Sequence, residues 1–105
     1  MLGELEARIL YAVVHCDGDA YGVSIHDAIL DLTDQNVAMG AIYATLERLD
    51  KKGLLHSSWS EPLAHRGGRR KRLFNISGIG KRELHEYDQR FQRMSGRWRV
   101  LEGDV

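Results

Sequence analysis

MGAIYATLERLDKKGLL, residues 39–55, decides the fold. Ile42, Leu46 and Leu49 recur at steps of four and three, the spacing that lines one side of an α-helix. Gly53 stands where a helix closes through a left-handed residue. With the three apolar residues inward, a step of about 100° per residue sends Gly40, Tyr43, Ala44, Glu47, Arg48 and Lys51 outward. Thr45 falls toward the flank. The run predicts a short helix, about residues 39–52, whose outer face mixes small residues with cations.

Two further helices are predicted upstream. In residues 4–16 (ELEARILYAVVHC), Leu5, Ile9, Ala12, Val13 and Cys16 form an apolar face, and Asp17-Gly18-Asp19 ends it. Residues 20–32 (AYGVSIHDAILDL) repeat the pattern with Val23, Ile25, Ala28, Ile29 and Leu32, and Asp19 is the expected N-cap. Thr33 to Val37 is polar and turn-like.

Downstream the period changes. LLHSSWS (54–60) and RKRLFNI (70–76) are short and rich in aromatic and branched residues, as strands are, and EPLAHRGGR between them is a loop marked by Pro62 and Gly67-Gly68. Ser77 can cap a last helix from about Gly78 toward Arg99. The expected class is therefore mainly α with a small β-hairpin (α+β).

The hairpin tip is strongly basic. Arg66, Arg69, Arg70, Lys71 and Arg72 fall within seven residues that hold no acid. Two glycines remove side chains where a hairpin would meet DNA, and arginines can enter a narrow minor groove. Strand alternation sends Arg70 and Arg72 to one face and Arg69 and Lys71 to the other, so not all can touch one ligand. A patch for any polyanion and the protection of an edge strand by charge are the competing readings.

Three stretches, AYGVSI (20–25), MGAIYATLERLDKKGLL (39–55) and RGGRRKRLFNIS (66–77), resemble the PadR family of bacterial transcriptional regulators in order and spacing. The resemblance covers about residues 2–85 and implies a winged helix-turn-helix fold. It makes the third helix a recognition helix, with Gly40, Tyr43, Ala44, Thr45, Arg48 and Lys51 toward DNA. It makes the basic hairpin a wing contributing Arg66, Gly67, Gly68, Arg69 and Lys71. On this reading residues 1–77 form the DNA-binding domain and 78–105 a dimerisation helix and tail, the shorter branch of the family. Many relatives carry Ser or Thr before the recognition helix and Thr in its first turn; Ala38 and Ala41 stand there in this chain. That removes an N-cap hydroxyl, usually worth about 1 kcal/mol, together with a phosphate or base contact.

Leu84, Tyr87, Phe91, Met94, Trp98 and Leu101 follow one another at three- and four-residue steps, a heptad seam that seeks a partner helix. A helix of about 20 residues outruns a core this small, so part of the seam is expected to pair with a second copy. The resemblance implies the same: a homodimer built through this helix and the first. Two recognition helices about 34 Å apart would read a palindromic operator in double-stranded DNA. A small-molecule effector acting on the dimer is a further implication of the resemblance, because the residues themselves show no ligand motif.

Charge sharpens the picture. Fifteen basic and fifteen acidic residues cancel over the 105 positions. Residues 1–47, however, carry eight acids against Arg8, while residues 48–82 carry ten cations against Asp50 and Glu61. The neutral total hides a polarised chain, and the basic part coincides with the third helix and hairpin.

Several classes are disfavoured. No stretch approaches the ~20 apolar residues of a membrane span. The acidic N-terminus shows no signal peptide, and the lone Cys16 excludes an internal disulfide, so a cytoplasmic protein is expected. His15, His26, His56, His65 and His85 are scattered without metal spacing, so neither metal, cofactor nor catalytic residues are expected. Two alternatives stay open: a winged-helix protein-interaction module, and a redox or metal sensor built on Cys16 and nearby histidines.

Overall fold

The computed structural model describes residues 1–61 and 70–103. Its elements run α1 (Glu4–Cys16), α2 (Gly22–Thr33), α3 (Met39–Lys51), β1 (Leu55–Trp59), β2 (Arg72–Ile76) and α4 (Gly78–Gly103). The two strands pair antiparallel. This is a winged helix-turn-helix, a three-helix core followed by a hairpin and a long last helix.

The core is filled largely by the predicted stripes, with Leu10 added on α1 and with Leu5 and Cys16 only partly buried. Ile9, Leu10 and Val13 of α1, Ile25 and Ile29 of α2, and Ile42, Leu46 and Leu49 of α3 are all buried. Leu55 and Phe74 join them from the sheet, where Leu55 faces Ile76 and Ser57 faces Phe74. Residues two apart on a strand share a face, so Trp59 and its partner Arg72 continue the same side outward.

α1 ends as its sequence demands, with Asp17 and Gly18 at φ of 44° and 91°. α2 begins later than expected, at Gly22, and Asp19 is not its cap. The Tyr21 N–H donates to Ser24 Oγ at 2.9 Å, and the Ser24 hydroxyl lies 2.7 Å from the Asp19 carbonyl. The cause is tertiary, because the Ala20 carbonyl accepts the Phe74 N–H at 2.8 Å and keeps this segment extended along β2. Val23 and Leu32, predicted on the buried stripe of α2, stay exposed.

α3 starts from Ala38 with no side-chain cap and closes at Gly53, whose φ is 76°. Ser77 caps α4, as its sequence position suggests. Its Oγ accepts the Gly80 N–H at 2.9 Å and donates to the Gly53 carbonyl at 2.6 Å. A Cβ at Gly80 would run into the Leu54 carbonyl, so glycine lets α4 cross close to the turn after α3.

At about 1.5 Å per residue the 26 residues of α4 span about 39 Å. Only Gly80 and Leu84 of that length are buried, and the molecule measures 55 × 28 × 22 Å. The far half of α4 therefore projects beyond the domain.

Candidate nucleic-acid interface

Burial on α3 defines its free side. With Ile42, Thr45, Leu46 and Leu49 inward, the wheel places Gly40, Ala44, Glu47 and Lys51 on the opposite line. All four are exposed. The two small residues leave the first turns of this line flat, and Glu47 and Lys51 are its only long side chains.

Tyr43 leaves the helix toward α2 and is 51% exposed. Its ring lies directly on Gly22, where an added Cβ would come within 2.5 Å of the phenol oxygen. Lys71 completes this corner with its ammonium 4.2 Å from the centre of the Tyr21 ring, a cation–π contact. Tyr21, Tyr43, Arg70 and Lys71 thus border a cleft of about 260 Å³ between α3, the start of α2 and β2. Two tyrosine rings with their phenol hydroxyls and two cations border it, groups that suit a sugar-phosphate chain. Of the sequence-predicted site residues, Gly40, Tyr43, Ala44, Lys51 and Lys71 reach this corner or the adjoining helix face. Tyr21 and Gly22 were missed as site residues; only the pairing of residue 20 with β2 brings them there.

Thr45 and Arg48 are placed differently from expectation. Thr45 is 2% exposed and its hydroxyl donates to the Ala41 carbonyl at 2.8 Å, so it belongs to the core rather than the groove-facing side. Its position, 60° from Ile42 on the wheel, already leans inward. Arg48 turns toward α1, with Nη2 3.3 Å from Thr45 Oγ1 and Nε 3.7 Å from Glu6. Lys52 reaches the same carboxylate at 3.1 Å. The Gly3 N–H, donating to Glu6 at 2.9 Å, holds that carboxyl below its usual range, with the two cations helping against the opposing effect of burial. Arg48 thus shares its charge with α1.

On the other flank Arg72 gathers four partners. It bonds Glu47, lies 3.0 Å from Asp50 Oδ2 and 3.3 Å from Ser57 Oγ, and stacks 5.0 Å from the Phe74 ring centre. Alternation alone predicts that Arg72 shares the inward face with Phe74; its carboxylate partners are distant in sequence and carry no local signal. Arg66, Gly67, Gly68 and Arg69 of the wing lie outside the described residues.

The heptad seam divides. Leu84 is buried and Tyr87 is half-buried against the core, so these two predicted dimerisation residues pack within the chain. The first turns of α4 lie on α1, where the Tyr11 hydroxyl donates to Asp88 at 2.6 Å. Burial, with Asp88 beside it, raises the Tyr11 phenol to about 12. Beyond that contact Phe91, Met94 and Trp98 are 56%, 84% and 61% exposed. A second apolar surface lies between α1 and α2, a groove of about 450 Å³ lined by Tyr11, Ala12, Val14, Ile29 and Leu32 among others.

Cys16 is half-buried with its thiol 3.6 Å from the Ser24 carbonyl, while His15 beside it is exposed. Among the described residues no group of three His, Cys, Asp or Glu side chains could hold a metal, and no helix is long and apolar enough to cross a membrane.

Known proteins share this architecture. A PadR-like regulator from Bacillus cereus superposes with a TM-score of 0.75 at 24% identity, covering 92% of this chain and 89% of that one. A PadR family regulator from Clostridium difficile gives 0.72 at 23%, covering 94% and 97%. Bacillus subtilis PadR, solved in complex with operator DNA, gives 0.65 at 21%, covering 80% of this chain and 46% of that one. At these identities the likeness is one of fold. An uncharacterized 37.1 kDa protein of transposon TN4556 from Streptomyces fradiae is 29% identical over 92 residues; the match takes in 88% of this chain and a quarter (25%) of that protein. The model of the transcriptional regulator PadR-like family matches residues 9–86, about three-quarters of the sequence. The chain belongs to the PadR-like family of transcriptional regulators.

Proposed function

We propose that this chain is a homodimeric, sequence-specific operator-binding repressor. The observation that carries the reading is the flat outer line of α3 beside a cleft of cations and aromatic rings. A major groove admits a helix whose surface is small enough for close approach, and Gly40 and Ala44 meet that condition. Lys51, Arg70 and Lys71 then lie toward phosphates on either side, with the wing continuing to the minor groove. Residues 1–77 carry these contacts, and α4 carries association.

The exposed Phe91, Met94 and Trp98 support the dimer, because an apolar stripe on a projecting half-helix is covered at low cost by a second copy. Charge supports it too. Arg93, Arg97 and Arg99 stand on the far half of α4, whereas α1 and α2 carry Glu4, Asp27 and Asp31. A two-fold dimer presents two α3 helices to successive major grooves, and occupancy of such a site blocks a promoter. An effector that favours one separation of the two helices over the other relieves repression by shifting the population. Binding to the chromosome places the protein in the cytoplasm.

Salt titration of duplex binding tests this. Lys51, Arg70 and Lys71 of two protomers neutralise six phosphates, which predicts a slope of log K on log salt of about −5. A slope near zero, or no binding to any duplex, overturns the proposal and favours a protein-interaction module.

A further inference from the structure

We propose that Glu47 reads a base, accepting a hydrogen bond from the N4 amino group of a cytosine at one position of each operator half-site. The inference rests on the reading that α3 enters the major groove.

Glu47 occupies an unfavourable place for an acid. It lies with Gly40, Ala44 and Lys51 on the line of α3 farthest from the core, where the approach of a phosphate polyanion raises the energy of any carboxylate. Gly40 and Ala44 let the backbone approach closely, which brings the Glu47 carboxylate within reach of base edges.

Arg72 resolves the conflict. Its guanidinium bonds Glu47 Oε1, holds Asp50 at 3.0 Å and Ser57 at 3.3 Å, and lies 5.0 Å from the Phe74 ring centre. One cation thereby offsets two carboxylates and fixes the Glu47 rotamer. The second oxygen, Oε2, has no hydrogen-bond partner among the described residues, leaving a preoriented acceptor on the outermost line of the helix. Arg72 is the positioning residue of this arrangement.

Chemistry then selects the base. In the major groove guanine presents N7 and O6 and thymine presents O4, all acceptors that repel a carboxylate. Adenine offers N6–H beside the N7 acceptor. Cytosine offers N4–H with no acceptor on its own edge, so it is the base a carboxylate prefers.

The test uses the full chain and a duplex that it enriches from a random pool. Affinities of wild type, Glu47→Ala, Glu47→Gln and Arg72→Gln are measured for that duplex and for each symmetric base replacement, with circular dichroism checking each fold. Wild type is expected to favour cytosine at one half-site position by about 5- to 10-fold. Glu47→Ala flattens that position alone to within about 2-fold, and Glu47→Gln moves its preference toward adenine, the base a side-chain amide pairs with. Arg72→Gln weakens the same preference while the salt slope stays within about half a unit of wild type, because Arg72 releases no counterion.

Glu47→Ala binding every sequence more tightly with an unaltered base profile would make Glu47 a source of repulsion only and overturn the inference. An unchanged profile and affinity overturn it as well. Enrichment of no sequence by wild type overturns the operator reading itself, an outcome distinct from a consensus that ignores Glu47.

Discussion

If α4 holds two copies together as proposed, Phe91→Asp should separate that dimer while leaving the protomer intact. Phe91 keeps 56% of its surface in solvent, and with Ala7 and Tyr11 of α1 it borders a cleft at the edge of the core. Complete burial of a phenylalanine side chain is worth about 1.5–3 kcal/mol, so covering the exposed half contributes about 1–1.5 kcal/mol. A two-fold interface uses the residue twice, giving about 2–3 kcal/mol per dimer. That is about a 30- to 150-fold rise in the dimer dissociation constant, before the cost of drawing two carboxylates out of water is added. Sedimentation equilibrium over a concentration series, with light scattering, measures the constant; far-UV circular dichroism checks that helix content is unchanged. The expected result is a folded monomer at concentrations where wild type is dimeric. Equal dissociation constants for the two proteins would show that the exposed seam does not hold the dimer and would refute the reasoning.

Other perturbations probe single features. Ala38→Ser supplies the missing cap of α3 and should stabilise by about 1 kcal/mol, or about 4–8 °C in Tm for a domain of this size, read by thermal melting. Gly22→Ala pushes the Tyr43 ring off its seat; since the phenol can swing into solvent, the melting temperature should hold while operator affinity falls as far as in Tyr43→Ala. His26 bridges Asp27 at 3.0 Å and Asn36 at 2.8 Å, and these bonds, Asp27 first, raise its pKa. Because the folded pKa lies above the unfolded value, its stabilisation is fully present below about pH 6.5 and is lost as pH rises through the raised pKa. Thermal melts of wild type should therefore fall over that window more than those of His26→Gln, and parallel curves would contradict the bridge.

Most of the fold was legible because local rules and tertiary packing agree. The α3 stripe of Ile42, Leu46 and Leu49, the Gly53 stop and the Ser77 cap each follow from residues within a turn of one another. Apart from Thr45, whose place on the wheel already leans inward, the departures trace to partners distant in sequence. The late start of α2 depends on Ala20 pairing with Phe74, fifty-four positions away. Arg48 stays exposed as expected, but its lean toward α1 depends on Glu6, and the fork at Arg72 depends on Glu47 and Asp50. The heptad pattern of α4 is continuous, yet Leu84 is covered and Met94 is not, because α1 lies only along the first part of the seam. Periodicity reports that a face is apolar; which element covers it is a property of the whole fold.

Selection of bound duplexes from a random pool at physiological salt tests the central claim most directly. A two-fold dimer presenting one α3 to each of two successive major grooves predicts a palindromic consensus with half-sites about one helical turn, roughly 34 Å, apart. Recovery of a pool with no enriched sequence would contradict the account.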